Sequence, residues 1–314
     1  MTRDLVLALS GGIGGAKLAL GLARILPAQD LLVIANTGDD FEHLGLAISP
    51  DIDTLMYTLA GLDNQELGWG RRDETWSFME TLASLGGADW FRLGDRDLAV
   101  HVERTCRLRA GGETLSAITA DFCRRLGVGP RVLPMSDDPV RTRLRTDEGW
   151  LDFQDYFVRL RCRPVVREII FVGAAAARPH PDFLAALAAE TLRAVIICPS
   201  NPFISVEPIL AVPGVRAAIA ASPAPVIAVS PIIAGRAVKG PTAKMMRELG
   251  IAPGAAAVAE RYGDLLDGYV IDCEDADEAE GLGPHVTLAR TLMTTLAERE
   301  RLARVVLDAA DALR

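Results

Sequence analysis

Apolar residues run unbroken through LVLALS (5–10), LLVIAN (31–36), REIIFVG (167–173), AVIICPS (194–200), PVIAVSPII (225–233) and GYVID (268–272). Short runs that stay apolar at successive positions, instead of alternating, predict strands covered on both faces, as in a parallel sheet. Helical spacing of apolar residues follows several of these runs, starting with KLALGLARIL. Strands alternating with helices predict an α/β fold: a Rossmann-like, mostly parallel sheet with helices on both faces. Residues 54–127 break the alternation. There LMYTLAG, ETWSFMETLASLG, DLAVHVERTCRLRAG and LSAITADFCRRLG follow one another across glycine-containing turns, which predicts a mostly helical insertion. Around 140–163, polar and apolar residues alternate on either side of Asp147-Glu148-Gly149, predicting a hairpin packed at the edge of the helical part. From Thr294, TTLAERERLARVVLDAADALR predicts an amphipathic helix with a solvated charged face. The expected organisation is one domain over 1–314, without repeats or long linkers.

A chain of 314 residues, 50% apolar, has the material for a large core. Its net charge of −9 argues against a nucleic-acid partner and means that an anionic substrate needs local counter-charge. Cys106, Cys123, Cys162, Cys198 and Cys273 form no CxxC pair and read as buried or free thiols of a reducing compartment. No basic segment precedes an apolar signal run, and no run is long enough to span a bilayer. The expectation is a cytoplasmic protein with no membrane partner.

The candidate chemistry begins at SGGIGGAK (10–17), between the first strand and its helix. A dinucleotide fingerprint would need glycine where Lys17 stands; a P-loop would need Gly before Lys17 and Ser or Thr after it, where Ala16 and Leu18 are found. What remains is physical: Gly11, Gly12, Gly14 and Gly15 allow close backbone approach, and a helix N-terminus directs partial positive charge at an anion. A phosphate or nucleotide role for this turn and Lys17 stands beside a tight structural turn as the alternative.

The second strand ends in NTGDD (36–40), followed by SPDIDT (49–54). Ligands of open parallel sheets bind beyond the carboxyl ends of the strands, so Asp39, Asp40, Asp51 and Asp53 are expected at one crevice. Clustered carboxylates call for protons or a cation, and with no His or Cys at matching spacing the cation expected is Mg²⁺, held by Asp39, Asp53 and Asp40. Asp51 has a second reading, as the cap of the helix that follows. GWGRRDETW (68–76) and WFRLGDRD (90–97) set Trp beside Arg and Asp, which suits stacking on a planar ring; the plainer reading is capping by Asp73 and Asp95 with Arg71, Arg72 and Arg96 exposed. CPSNPFISVEPIL (198–210) offers Ser200, Asn201 and Ser205 to a nucleotide, and SPIIAGRAVKGPTAK (230–244) offers Arg236 and Lys239 to a phosphate.

Together with LPMSDDPVRT and FQDYFVR, these motifs resemble, over about residues 4–245, the 2-phospho-L-lactate transferases of coenzyme F-420 biosynthesis. The resemblance implies a homodimeric, Mg²⁺-requiring enzyme. It would transfer a phospho-three-carbon acid from a guanosine diphosphate donor to the ribityl 5′-hydroxyl of the deazaflavin Fo, releasing GMP. By matching motif it places Asp53 and Arg92 on Fo, with Trp69 and Trp90 on the same side, and makes Asp39 and Asp53 catalytic within the acidic metal-binding region. The guanosine nucleotide side takes Gly11, Gly12, Gly14, Gly15, Lys17, Ser200, Asn201 and Ser205. Glu207 stands where relatives are expected to carry a small residue, which would alter the donor pocket, and the donor expected is not the lactate one. Two rivals remain: a regulatory protein binding UDP-sugars without transferase activity, from a related branch, and an NAD-dependent oxidoreductase, which the failed fingerprint disfavours.

Overall fold

In the computed structural model, which describes residues 4–314, seven strands form one parallel sheet. They are β1 (Leu5–Ser10), β2 (Leu31–Ala35), β3 (Arg131–Pro134), β4 (Leu192–Ile197), β5 (Val226–Val229), β6 (Gly268–Asp272) and β7 (His285–Ala289), in the order β7-β6-β5-β4-β1-β2-β3. Every neighbouring pair is parallel. Side chains of β1 show why the apolar runs are continuous. Val6 and Ala8 pack into one core layer with Leu18, Ile118 and Leu302, while Leu7 and Leu9 pack into the opposite layer with Phe203, Met245 and Tyr262. Both faces are covered, so both sets of positions are apolar.

The longer helices are α1 (Gly12–Ile25), α2 (Pro50–Leu59), α3 (Ser77–Ser84), α4 (Asp95–Ala110), α5 (Leu115–Arg125) and α6 (Leu296–Asp311). Among the described residues none is long and apolar enough to cross a membrane. A capping box starts α6: the Thr295 side chain accepts the Glu298 N–H (3.2 Å) and the Glu298 carboxylate accepts the Thr295 N–H (2.8 Å).

The run REIIFVG departs from the expected parallel set. Its strand, Val166–Val172, pairs antiparallel with Arg141–Thr146, which also pairs with Gly149–Asp152, making a separate three-stranded sheet. Exposed Arg167 and Glu168 show that this strand is not covered on both faces. Conversely, β3 and β7 join the main sheet although neither was among the expected strands. Both are edges, where a short segment such as RVLP or a half-exposed one such as HVTLA suffices. The small sheet is tied to the main one where the Thr142 N–H donates to the Gly38 carbonyl (2.7 Å), just beyond β2.

From β1 the chain builds β2 and β3 on one side, then returns to lay β4 on the other. The β1/β4 boundary is therefore the switch point at whose carboxyl edge a crevice opens. At the opposite face of α1, a Cβ built on Gly21 would lie 2.2 Å from the Arg299 carbonyl oxygen of α6. Backbone cannot yield as a side chain does, so Gly21→Val is expected to cost at least ~1–3 kcal/mol. A urea unfolding midpoint equal to that of the parent protein would contradict this packing.

Candidate functional site

A cleft of about 700 Å³ lies at that carboxyl edge, within the size range of small-molecule sites. The glycine turn forms one wall. Gly12 has φ +65°, a left-handed conformation that favours glycine. Gly14 and Gly15 serve packing: a Cβ would lie 2.3 Å from the Pro199 carbonyl at Gly14, and 2.4 Å from Ser10 Oγ at Gly15. Two N–H groups of the turn are held by the protein, Gly11 donating to Ser200 Oγ (3.1 Å) and Gly12 to Asp51 Oδ1 (2.7 Å). What faces a ligand is the remainder of the first turn of α1, with Ile13 and Gly14 on the cleft wall and the positive end of the helix dipole behind them.

Lys17, Ser200, Asn201 and Ser205 also line the cleft. The Lys17 ammonium donates to the Met293 carbonyl (2.8 Å), and burial, with Arg299 and Lys239 nearby, lowers its pKa. Asn201 accepts the Phe203 N–H (2.9 Å), fixing the turn that carries Ser205.

The acids divide. Asp39, Asp40, Asp51 and Asp53 are all buried, yet only Asp39 and Asp51 line the cleft. Burial, and then the neighbouring Asp51 charge, holds the Asp39 carboxyl well above the usual range; burial pushes Asp40 up to about 7 and Asp51 up to about 6. Ser49 is the N-cap of α2, and Asp51 sits inside its first turn, accepting instead from Gly12 and from the Asn36 side-chain amide (2.9 Å). It thus holds the start of α1 and does not cap its own helix. Asp40 lies behind the wall, its Oδ2 accepting from the Ser49 hydroxyl (2.8 Å). Asp39 Oδ1 and Asp40 Oδ1 are buried with no hydrogen-bond partner.

The expectation that Asp53 faces the ligand requires correction. Two positions beyond Asp51, it is rotated by about 200° around α2 and meets α4. Both of its oxygens bind the Arg104 guanidinium, one at 3.0 Å from Nη1 and the other against Nη2. His101 lies between it and Asp97, 3.6 Å from Asp53 and 3.3 Å from Asp97, whose Oδ1 also accepts from the Tyr57 hydroxyl (2.6 Å). Asp53, Asp97 and His101 offer ligand atoms within 4.8 Å of one another, but Arg104 already supplies the positive charge there. Asp39 lines the cleft, whereas Asp53 is turned away from it and engaged by Arg104.

Aromatic side chains also line the cleft: Trp69, Trp90, Phe91, Phe153 and Phe157, with Arg92 among them. Phe153 and Phe157 stack at 5.3 Å, Trp90 meets His43 edge-on at 5.0 Å, and the Arg92 guanidinium lies 4.2 Å over Trp76. Such a lining suits a flat, weakly polar ring system. Phe153, Gln154 and Phe157 were visible only as a motif, and Thr291–Met293, which close the cleft after β7, were not singled out at all. Glu207 points elsewhere, pairing with Arg261 (3.4 Å). Arg236 is exposed in a short two-strand turn and does not line the cleft, whereas Lys239 does. Asp95 does cap a helix, though not its own: it accepts the N–H groups of Ser77 and Phe78 at the start of α3 (both 3.2 Å).

The family model described as 2-phospho-L-lactate transferase CofD matches residues 6–285. A phosphoenolpyruvate transferase of Streptomyces griseus is 43% identical over 318 residues, covering 98% of this chain and 99% of that protein. A 2-phospho-L-lactate transferase of Methanosarcina mazei is 39% identical over 304 residues, covering 96% and 98%. Among solved structures, a UPF0052 family protein from Bacillus halodurans aligns with TM-score 0.66 over 98% of this chain and 99% of its own. At 16% identity that likeness speaks to the fold alone.

Because Asp53 neutralises a buried guanidinium, Asp53→Asn is expected to cost ~3–5 kcal/mol of stability, whereas Asp39→Asn, at a buried carboxyl whose Oδ1 has no partner, leaves the urea midpoint equal or higher. Equal midpoints for Asp53→Asn and the parent would contradict the assignment. Asp40 and Asp51 also set a pH dependence. Their carboxyls hold protons in the fold that the unfolded chain, with ordinary values near 3.8, has released. Their contribution to stability therefore declines as pH rises from about 4 towards 7. Asp40→Asn should flatten that decline by ~1–3 kcal/mol, measured as unfolding free energies at pH 5 and 7 without divalent cation; parallel profiles would refute it.

Proposed function

Because the chain belongs to the 2-phospho-L-lactate transferase family, and is thereby a transferase, we propose that it moves a phospho-three-carbon-acid group from a guanosine diphosphate donor to the ribityl 5′-hydroxyl of Fo in coenzyme F-420 biosynthesis. The observation that carries this reading is the presence of two unlike linings in one cleft. A helix N-terminus with Lys17 suits a diphosphate, and an aromatic wall with Arg92 suits a deazaflavin with a hydroxylated tail. A three-carbon acid derived from phosphoenolpyruvate is the donor group we favour, since several relatives at 41–44% identity carry the name phosphoenolpyruvate transferase. A cytoplasmic homodimer completes the proposal.

On this reading the hydroxyl oxygen attacks the β-phosphorus, the bond from that phosphorus to the bridging oxygen breaks, and GMP leaves with the electron pair. The hydroxyl proton goes to water. The chain contributes mainly alignment and electrostatics. The first turn of α1 and Lys17 hold the diphosphate, the aromatic wall stacks the ring, and Arg92 orients the tail. Asp39, the acid left free to face the cleft, would hold Mg²⁺, which when bound would neutralise charge on the diphosphate.

Mass spectrometry of a mixture of protein, Fo, guanosine diphosphate-linked enolpyruvate and Mg²⁺ tests the reading; absence of a phospho-acid adduct of Fo would refute it. Within the same frame, Arg92→Ala is expected to weaken Fo binding about tenfold or more, and to leave guanosine diphosphate affinity unchanged, in separate calorimetric titrations. Equal losses for both ligands would remove Arg92 from the Fo wall.

A further inference from the structure

Beside the cleft lies a smaller pocket of about 140 Å³, between the start of α1, the Thr54–Thr58 stretch of α2, the 63–70 loop and the start of α6. It shares Ile13, Lys17, Thr54, Trp69 and Lys239 with the cleft, so the two adjoin at the α1 N-terminus. Its charge is lopsided. Lys17, Lys239 and Arg299 line it against a single carboxylate, Asp63.

Arg299 is the unusual member. It is 5% exposed, its Nε is buried without a partner, and among the described residues no hydrogen bond or ion pair engages its guanidinium. The acids beside it in sequence are committed elsewhere, Glu298 to the capping box and Glu300 to Arg24 and Arg304. A buried guanidinium without a partner is unfavourable, and the same cluster of positive charge helps to lower the Lys17 pKa. Both effects reverse when an anion enters.

We propose that this pocket receives the carboxylate of the donor's three-carbon acid and that Arg299 is the side chain that recognises it; this rests on the reading that the cleft takes a guanosine diphosphate-linked acid. The pocket is too small for a nucleotide and large enough for a carboxylate with its neighbouring carbons. It adjoins the helix N-terminus assigned to the diphosphate, as the covalent link between diphosphate and acid requires. A guanidinium binds a carboxylate through two parallel hydrogen bonds, a geometry that Lys17 and Lys239 cannot supply.

Calorimetry of guanosine diphosphate and of guanosine diphosphate-linked enolpyruvate, on the parent protein, Arg299→Met and Arg299→Lys, tests the proposal. Arg299→Met should weaken the linked acid by about 10–100-fold and barely alter guanosine diphosphate itself. Arg299→Lys, which keeps the charge, should recover part of the loss, and Arg299→Met should melt no lower than the parent because it removes an unpaired buried charge. Equal weakening of both ligands, or of neither, would overturn the assignment, and so would a much lower melting temperature that Arg299→Lys restores without restoring the preference for the linked acid. Should the parent protein bind neither ligand, the transferase reading itself falls and takes this proposal with it, a result distinct from the one in which the parent binds both and Arg299 makes no difference.

Discussion

The carboxylate of Asp51 is the point on which the site depends. One oxygen accepts the Gly12 N–H and the other the Asn36 amide, which joins the β1–α1 turn, the end of β2 and the first turn of α2. Asn36 extends the junction: its Oδ1 accepts the Gly38 N–H (2.8 Å), and its Nδ2 also reaches the Ile204 carbonyl (3.3 Å) in the segment after β4. Four segments distant in sequence thereby share one small hydrogen-bonded network, and the glycine turn, the acidic corner and the Ser200–Ser205 segment keep their places through it. The two bonds offset part of the burial cost of the carboxylate, whose pKa nevertheless stays raised. An acid so engaged has few lone pairs left for a ligand, which throws that task onto Asp39 and its free oxygen.

How much of this could be read from the sequence differs from one residue to the next. The parallel sheet was legible because burial on both faces leaves a continuous apolar run, as β1, β4 and β6 show. The edges were not, because β3 and β7 need no such run, while REIIFVG resembles one without being buried on both sides. The cleft's glycine wall was legible for a related reason: no ordinary helix start places four glycines among five positions. Asp53 shows the opposite. Reading Asp51 and Asp53 as a pair facing one crevice ignores that residues two apart on a helix point in different directions, and the spacing within PDIDT already said so. Its partner Arg104 lies 51 positions away in the insertion, and nothing in the local pattern connects them. Arg299 was hidden in the same manner. Within an amphipathic helix its charge reads as solvated, and only the packing of α6 against α1 turns it inward.

These placements sort the charges of an acidic chain into two poles. Asp39, Asp40 and Asp51 gather at the end of β2, while Lys17, Lys239 and Arg299 gather where α1 meets α6. Neither cluster neutralises the other in the folded chain, and each is held at some cost: the acids by raised pKa values, Lys17 by a lowered one. A ligand that carries negative charge at one end and brings a cation to the other relieves both at once. A plain nucleotide relieves only part, since its charge does not extend into the side pocket. On the proposed reading the donor is therefore oriented by the protein's own unsatisfied charges, with the acid end drawn towards Arg299 and the diphosphate held between the poles. On the same reading the phosphorus to be attacked lies at the first turn of α1, in the cleft that the aromatic side chains also line and where the acceptor's tail would approach.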